Sequence, residues 1–186
     1  MDCTRPTSLP RHLAALLALL FLSLPLQAQE QSTDASSYTL NTGDRIQITV
    51  FDEPELSISA VLDDSGAISY PLLGELRVRG LTVRQLEKGL TDGLKGRFLI
   101  NPRVNVAIVE YRPFFVRGEV SSPGGYPFRP GLTVEKAVSL AGGFTSRASK
   151  SQFYIVSDDN GEERVAAKLS TRIRPGDVVH IDQSFF

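Results

Sequence analysis

An α+β chain of two small units, each a small sheet with one packed helix, is what this sequence predicts, and three observations carry it. Apolar and polar residues alternate in several short runs, as half-buried strands require. The tetrapeptide Gly-Leu-Thr-Val occurs twice, at 80–83 and 131–134, each time opening a stretch with apolar residues at helical spacing. The pair Gly-Asp also occurs twice, at 43–44 and 176–177, each time directly before a strand-like run. A duplicated plan of this kind divides the 186 residues into two modules.

The first stretch belongs to neither module. Arg5 and Arg11 precede an uncharged apolar run from Leu13 to Leu24, and Pro25 and Leu26-Gln27-Ala28 follow it. Together they match a secretory signal peptide cut after Ala28. As a helix the run reaches about 18 Å, short of the roughly 30 Å hydrocarbon core, so no anchor is expected. Cys3, the only cysteine, precedes the run instead of following it at the cut, so it is not read as a lipoprotein cysteine. Without it the mature chain has no thiol, which suits an oxidising compartment. Residues 29–37 are polar and aperiodic and read as a flexible lead-in.

The first module runs over residues 38–112. Ile46, Ile48 and Val50 alternate with Arg45, Gln47 and Thr49 as a strand that Phe51 extends and Pro54 stops. Ser57 to Leu62 and Ala67 to Leu73 are further extended runs around Asp63-Asp64-Ser65-Gly66, which predicts a hairpin. Thr82 is placed to cap a helix, with Gln85 as its capping-box partner and Val83, Leu86, Leu90 and Leu94 as its apolar stripe. Asn101-Pro102 ends that region, and Val104, Val106 and Ile108 alternate in a last strand. The boundary falls near Tyr111-Arg112-Pro113, and the second module runs from 113 to 186. It opens on the strand Phe114-Phe115-Val116. A second capped helix carries Ala137, Val138 and Ala141 and stops at Gly142-Gly143. Asp158-Asp159-Asn160-Gly161 sits as a turn between Phe153–Val156 and Arg164–Ala167, and Val178, Val179 and Ile181 form a final strand.

Composition excludes several function classes. Twenty basic against 21 acidic residues give no electrostatic reason to expect nucleic acid. No phosphate-cradling Gly-rich loop, nucleophile elbow or His-Glu-x-x-His is present, and Gly124-Gly125 and Gly142-Gly143 read as backbone devices. No metal site and no cofactor are expected. His180, on the opposite phase from Val179 and Ile181, reads as a solvent-facing or edge histidine rather than a general base. Glu53, Glu55, Glu75 and Glu119 read as strand-end or loop residues, since nothing in the sequence brings two of them into one cleft. The paired aspartates at 63–64 and 158–159 read as turn residues ahead of a calcium site or catalytic dyad. No catalytic residue is expected, and the chain is not read as an enzyme. Arginine outnumbers lysine 15 to 5. Two readings of that excess stand open: bidentate recognition of carboxylates, on acidic sugars or across subunits, and the composition bias of a GC-rich genome.

Six blocks, in order and spacing, resemble the export domain of Wza-type outer-membrane polysaccharide export proteins: Tyr38 to Asp44, Val50 to Ser57, Gly66 to Ile68, Pro71 to Glu75, Gly80 to Thr82, and Asn101 to Val106. Val116 to Val120, Pro123 to Tyr126, and Leu132 to Val134 through Ala141 to Phe144 resemble the β-grasp module called SLBB, for soluble-ligand-binding β-grasp. The resemblance implies a non-enzymatic periplasmic ring, octameric in the family, passing capsule, exopolysaccharide or biofilm polysaccharide from an inner-membrane copolymerase towards the surface. It implies ring or partner contacts at Asp52, Glu53, Pro54 and Glu55 and at the turn Pro71, Leu72, Leu73 and Gly74.

The chain ends soon after Asp182, at Gln183-Ser184-Phe185-Phe186, whereas a spanning helix needs about 20 residues. The expectation is therefore a short periplasmic member served by a separate outer-membrane β-barrel. Phe185-Phe186 either docks on that partner or closes the last module's core. The alternative is a periplasmic polysaccharide-binding or regulatory module, with Tyr126 and Phe128 as a glycan platform and Arg117 or Arg129 beside it.

Overall fold

The computed structural model describes residues 37–157 and 163–184. The signal peptide, the lead-in up to residue 36, the turn at 158–161 and the pair 185–186 lie outside the described residues.

In the first domain β1 (Arg45–Val50) is central and pairs antiparallel with β2 (Ile58–Val61) on one side. β3 (Ala67–Tyr70) and β4 (Gly74–Arg77) form a separate two-stranded ribbon. Helix α1 (Val83–Leu94) follows, and β5 (Val104–Glu110) closes the order β2-β1-β5. The alternation read from the sequence holds: Ile46, Ile48 and Val50 are buried. They share a core with Leu86, Leu90 and Leu94 of α1 and with Val106. Thr82 forms the full capping box, its Oγ1 accepting from the Gln85 amide at 3.2 Å while Gln85 Oε1 accepts from the Thr82 amide at 2.8 Å.

The expected hairpin around Asp63–Gly66 is corrected by the structure. The turn itself forms, with the Ser65 hydroxyl and the Ala67 amide both donating to Asp63 Oδ1 at 2.6 and 3.1 Å. The strands it joins go to different partners. Ile58 and Ala60 stand in register with Ile48 and Ile46, so the apolar positions of β2 are taken up by the central sheet. β3 instead folds back on β4 through Pro71-Leu72-Leu73, a turn adjacent to its own end. The first strand also stops at Val50 instead of running through Phe51, because Asp52 turns the chain with a φ of 66°.

The second domain is one five-stranded sheet, β7-β6-β10-β8-β9, with a helix on one face. Its elements are β6 (Phe114–Gly118), β7 (Gly124–Tyr126), α2 (Val134–Leu140), β8 (Ala148–Val156), β9 (Arg164–Ala167) and β10 (Val178–Gln183). β6 and β10 run parallel, which the crossover through α2 permits, and the other pairs are antiparallel. Val134, Ala137 and Val138 of α2 pack with Phe114, Val116, Phe153, Ile155, Val179 and Ile181. Thr133 caps α2 by accepting from the Lys136 amide at 3.4 Å, and Lys136 in place of Gln or Glu leaves that box half built.

The two caps make a comparison. Thr82→Ala removes both halves of a box and lowers the unfolding free energy by about 1 kcal/mol, whereas Thr133→Ala lowers it by less. Urea denaturation of the two variants checks the order.

Candidate functional site

The duplicated Gly-Asp pairs form one device twice. In the first, Asp44 N–H donates to Asn41 O at 3.1 Å while Asn41 N–H donates back to Asp44 Oδ2 at 2.9 Å. In the second, Asp177 N–H donates to Arg174 O at 3.2 Å and Arg174 N–H donates to Asp177 Oδ2 at 2.7 Å. Each turn needs a left-handed residue at its third position, supplied by Gly43 at φ 88° and Gly176 at φ 85°. Both carboxylates are buried.

Between the two turns lies Arg112, itself only 7% exposed. Its amide donates to Asp44 Oδ1 at 2.9 Å, and its Nη1 donates to the Tyr38 hydroxyl at 3.2 Å and stands 4.0 Å from Asp44 Oδ2. On the other side, a Cβ on Gly176 would come within 2.5 Å of Arg112 Nε, so only glycine leaves room for the guanidinium. The Gly176 amide donates to Pro113 O at 3.1 Å, and the Phe115 amide donates to Asp177 O at 2.9 Å. The residues joining the domains are thus bonded to the turn that opens β1 and to the turn that opens β10. Burial, then the Asp44 carboxylate, pushes the Tyr38 hydroxyl far above its ordinary pKa, so it remains a donor. Burial also raises the Asp177 carboxyl. The arrangement positions groups; none of these contacts presents a nucleophile.

Beside this junction is a cleft of about 470 Å³ with Tyr38, Tyr111, Phe128, Arg112, Arg172 and Arg174 among its lining. The rings make an edge-to-face chain, Tyr38 to Tyr111 at 5.1 Å and Tyr111 to Phe128 at 5.4 Å between centroids.

The opposite end of the first domain gathers the residues proposed from sequence for ring or partner contacts. Asp52 to Glu55 follow β1, and the three-residue 3₁₀ turn Pro54–Leu56 is held by the Ser57 hydroxyl on Glu53 O. The Tyr70 hydroxyl donates to Leu56 O at 2.8 Å, which brings the Pro71, Leu72, Leu73 turn and Gly74 to the same end. Leu73 lies over Gly93 near the end of α1. Phe51 N–H donates to Arg103 O, and Arg103 pairs with Asp52 at 3.1 Å and covers the Phe51 ring. Phe51, Leu72 and Ile100 are exposed at 54%, 57% and 94%. Asp52 and Leu72 are the two non-glycine residues with positive φ among the described residues.

The glycan-facing set from sequence is not brought together. Phe128 lines the junction cleft. Tyr126 is half-buried against Phe114, and its hydroxyl donates to Ser122 O. Arg117 is exposed on β6 beside His180, and Arg129 is exposed with its carbonyl accepting from the Leu132 amide.

Residues 32–109 match the family described as Polysaccharide biosynthesis/export protein, and residues 113–166 match the SLBB domain. The chain belongs to the polysaccharide export family. Its relatives include the exopolysaccharide production protein ExoF of Rhizobium meliloti, 32% identical over 152 residues, covering 75% of this chain and 36% of that protein. The EPS I polysaccharide export outer membrane protein EpsA of Ralstonia nicotianae is 27% identical, covering 65% of this chain and 40% of its own length. EpsA of Ralstonia solanacearum is 29% identical, covering 59% and 36%. This chain therefore spans well under half the length of these curated relatives.

In the SLBB domain, the edge alternative for His180 is corrected, while its phase holds: it is part-exposed between the buried Val179 and Ile181. Its strand, β10, is the centre of the sheet, because β6 and β8 both pair with it. The ring stacks on Tyr154 at 4.5 Å with Arg164 over the same tyrosine, and Nε2 lies 3.3 Å from Asp182. Among the described residues no group of three or more His, Cys, Asp or Glu is placed to hold a metal ion, and no helix is long and apolar enough to cross a membrane. Glu119 is tied to Thr145 and Arg147. Sequence reasoning missed Tyr38, Tyr111, Arg112, Arg172 and Arg174. The Gly-Asp echo was the available signal, but it does not reveal that both turns close on one arginine.

Asp44→Ala strands a buried arginine and three donors, and the unfolding free energy falls by about 3–5 kcal/mol. Glu110→Ala breaks the exposed pair with Arg45 at 3.2 Å and costs under about 1 kcal/mol. Urea denaturation separates them, and equal losses would refute the junction's role. Burial also lowers the His180 pKa below the ordinary 6.5. The unfolded chain then takes up that proton first, so the His180 contribution to stability is complete above pH 6.5 and is lost as the pH drops below it. His180→Asn removes this part of the pH dependence, as thermal melts across that window will read.

Proposed function

We propose that this chain is a periplasmic component of a polysaccharide export machine. It assembles with copies of itself into a ring conduit, octameric by the family resemblance, between an inner-membrane copolymerase and a separate outer-membrane β-barrel. Residues 38–112 act as the export domain and 113–186 as the SLBB domain. Secretion by a signal peptide cut after about Ala28, without lipidation, places it in the periplasm.

The observation that carries the reading is the tip of the export domain. Phe51, Leu72 and Ile100 are large, apolar and exposed at one end, and the strained Asp52 and Leu72 stand among them. Isolated apolar residues on a surface need no explanation, but three gathered with both strained residues do. Asp52 to Glu55 and Pro71 to Gly74 serve there as contacts to the ring or to the inner-membrane partner. A conduit needs assembly surfaces and a stiff wall, which two domains locked at Arg112 supply.

Deletion of the gene abolishes surface polysaccharide while synthesis precursors persist, and quantified normal surface polysaccharide would sink the export reading. Leu72→Glu with Ile100→Glu leaves the unfolding free energy from urea denaturation within about 0.5 kcal/mol of the parent, since both positions are exposed. Export in that variant drops towards the deletion level, with loss of the copolymerase and barrel from co-purifications. Full export by the variant would remove the tip from the mechanism.

A further inference from the structure

Helix α2 covers one face of the five-stranded sheet, and the alternation that turns Phe114, Val116, Phe153, Ile155, Val179 and Ile181 towards it turns their neighbours to the other face. That face carries Phe115 and Arg117 of β6, Val178 and His180 of β10, and Tyr154 and Val156 of β8, none of which belongs to a hydrophobic core. The cross-strand register sorts them into two rows. Phe115, Val178 and Val156 form an apolar row, and Arg117, His180 and Tyr154 form a polar and aromatic one. The apolar row borders a shallow depression of about 460 Å³ with Phe115, Arg117, Pro123 and Val178 among its lining, within the roughly 300–1,000 Å³ of small-ligand sites. The Phe115 ring lies over Gly125, where a Cβ would come within 2.9 Å of its Cε1, and the residue is 45% exposed.

Charge on this sheet is one-sided. Its five strands hold Arg117, Lys150 and Arg164 against a single acidic residue, Asp182, which stands 3.3 Å from His180 Nε2. Arg164 lies over the Tyr154 ring at 4.9 Å, and among the described residues neither it nor Arg117 enters an ion pair. An exposed ring flanked by unpaired guanidinium groups suits a ligand with a C–H face and carboxylates, which is what an acidic sugar offers. The strands that carry Arg117 and Arg164 are three spacings apart, about 14 Å, so the two cations mark a strip that calls for a chain instead of a single unit. A second copy docked face to face would set these cations against their own counterparts. We propose that the open face of the SLBB sheet binds a strand of acidic polysaccharide, with a sugar ring on Phe115 and carboxylates at Arg117 and Arg164. The assignment rests on the export reading, which supplies the polymer, and it names the class of glycan. Of the glycan-facing residues read from sequence it keeps Arg117 alone.

The test titrates the purified protein with a β-1,4-linked glucuronic acid hexasaccharide, with cellohexaose, which is the same chain without carboxylates, and with hexaglutamate. Calorimetry gives affinity, and amide shifts give location. The acidic saccharide binds at least about tenfold more tightly than either control, with shifts at Phe115, Arg117, Tyr154 and His180. Arg117→Gln with Arg164→Gln weakens it at least about tenfold, and so does Phe115→Ala, while Arg77→Gln, at an exposed arginine of the export domain, leaves it unchanged. Urea denaturation confirms that each variant is folded. No binding, equal binding of cellohexaose or hexaglutamate, or equal loss in the Arg77 variant would overturn the proposal. So would self-association in sedimentation that the Arg117 and Arg164 changes abolish, since the face would then be a contact between copies. If gene deletion abolishes surface polysaccharide and the face binds nothing, only this assignment fails. If surface polysaccharide is normal in the deletion, the export reading fails whatever the face binds.

Discussion

The placement of Arg112 between two Gly-Asp turns is the constraint on which the rest of the molecule depends. A guanidinium 7% exposed must be balanced by a carboxylate, and Asp44 is the buried group that does so. That carboxylate also receives the Asn41 and Arg112 amides and the Tyr38 hydroxyl, so its charge sets the course of the chain entering β1 and leaving β5. The second turn presses Gly176 against the same guanidinium and bonds to Pro113 and Phe115, fixing the chain at the entry to β6 and β10. Four strand ends from two domains thus converge on one side chain. Neither hydrophobic core alone dictates how the other is held.

This seam also explains how the two ends of the export domain are related. β1 runs from Asp44 at the junction to Phe51 at the tip, and β5 returns from Arg103 to Arg112. The tip residues therefore sit at the far ends of the strands whose near ends are locked. Strain at Asp52 and Leu72 persists only where surrounding structure holds it, and the Ser57 and Tyr70 hydroxyls on neighbouring carbonyls provide that support. The free edge of β5 is not left open along its length either. Glu87 reaches from α1 to accept the Val106 amide at 2.9 Å, which blunts strand-to-strand association at that position.

How far the sequence could be read follows from which interactions are local. Caps are local, and both helices begin where Thr82 and Thr133 place them. Alternation is local too, and Ile46, Ile48 and Val50 face the core as their spacing requires. Pairing is not local. The turn at Asp63–Gly66 looks the same whether the strands beside it pair with each other or with distant partners, and only the packing of Ile58 on Ile48 decides. The site shows the same division. Each Gly-Asp turn is written in four residues, but their meeting on Arg112 spans 68 positions from Asp44, which no local pattern encodes. The edge alternative for His180 fails for the same reason: its phase along β10 is local and holds, whereas the two flanking strands that make β10 central are not local.

The arginine excess takes on physical content once the side chains are placed. Arg45, Arg103 and Arg147 reach carboxylates, while Arg97, Arg103 and Arg164 lie over rings. A planar group that can stack and hydrogen-bond at once suits these positions in a way that a lysine's point charge does not. Arg112 is the extreme case, fitting edge-on against a glycine that has no Cβ while its amide and its guanidinium serve different acceptors. In the described structure one arginine sits at the seam, several reach carboxylates or rings, and two line the cleft beside the seam.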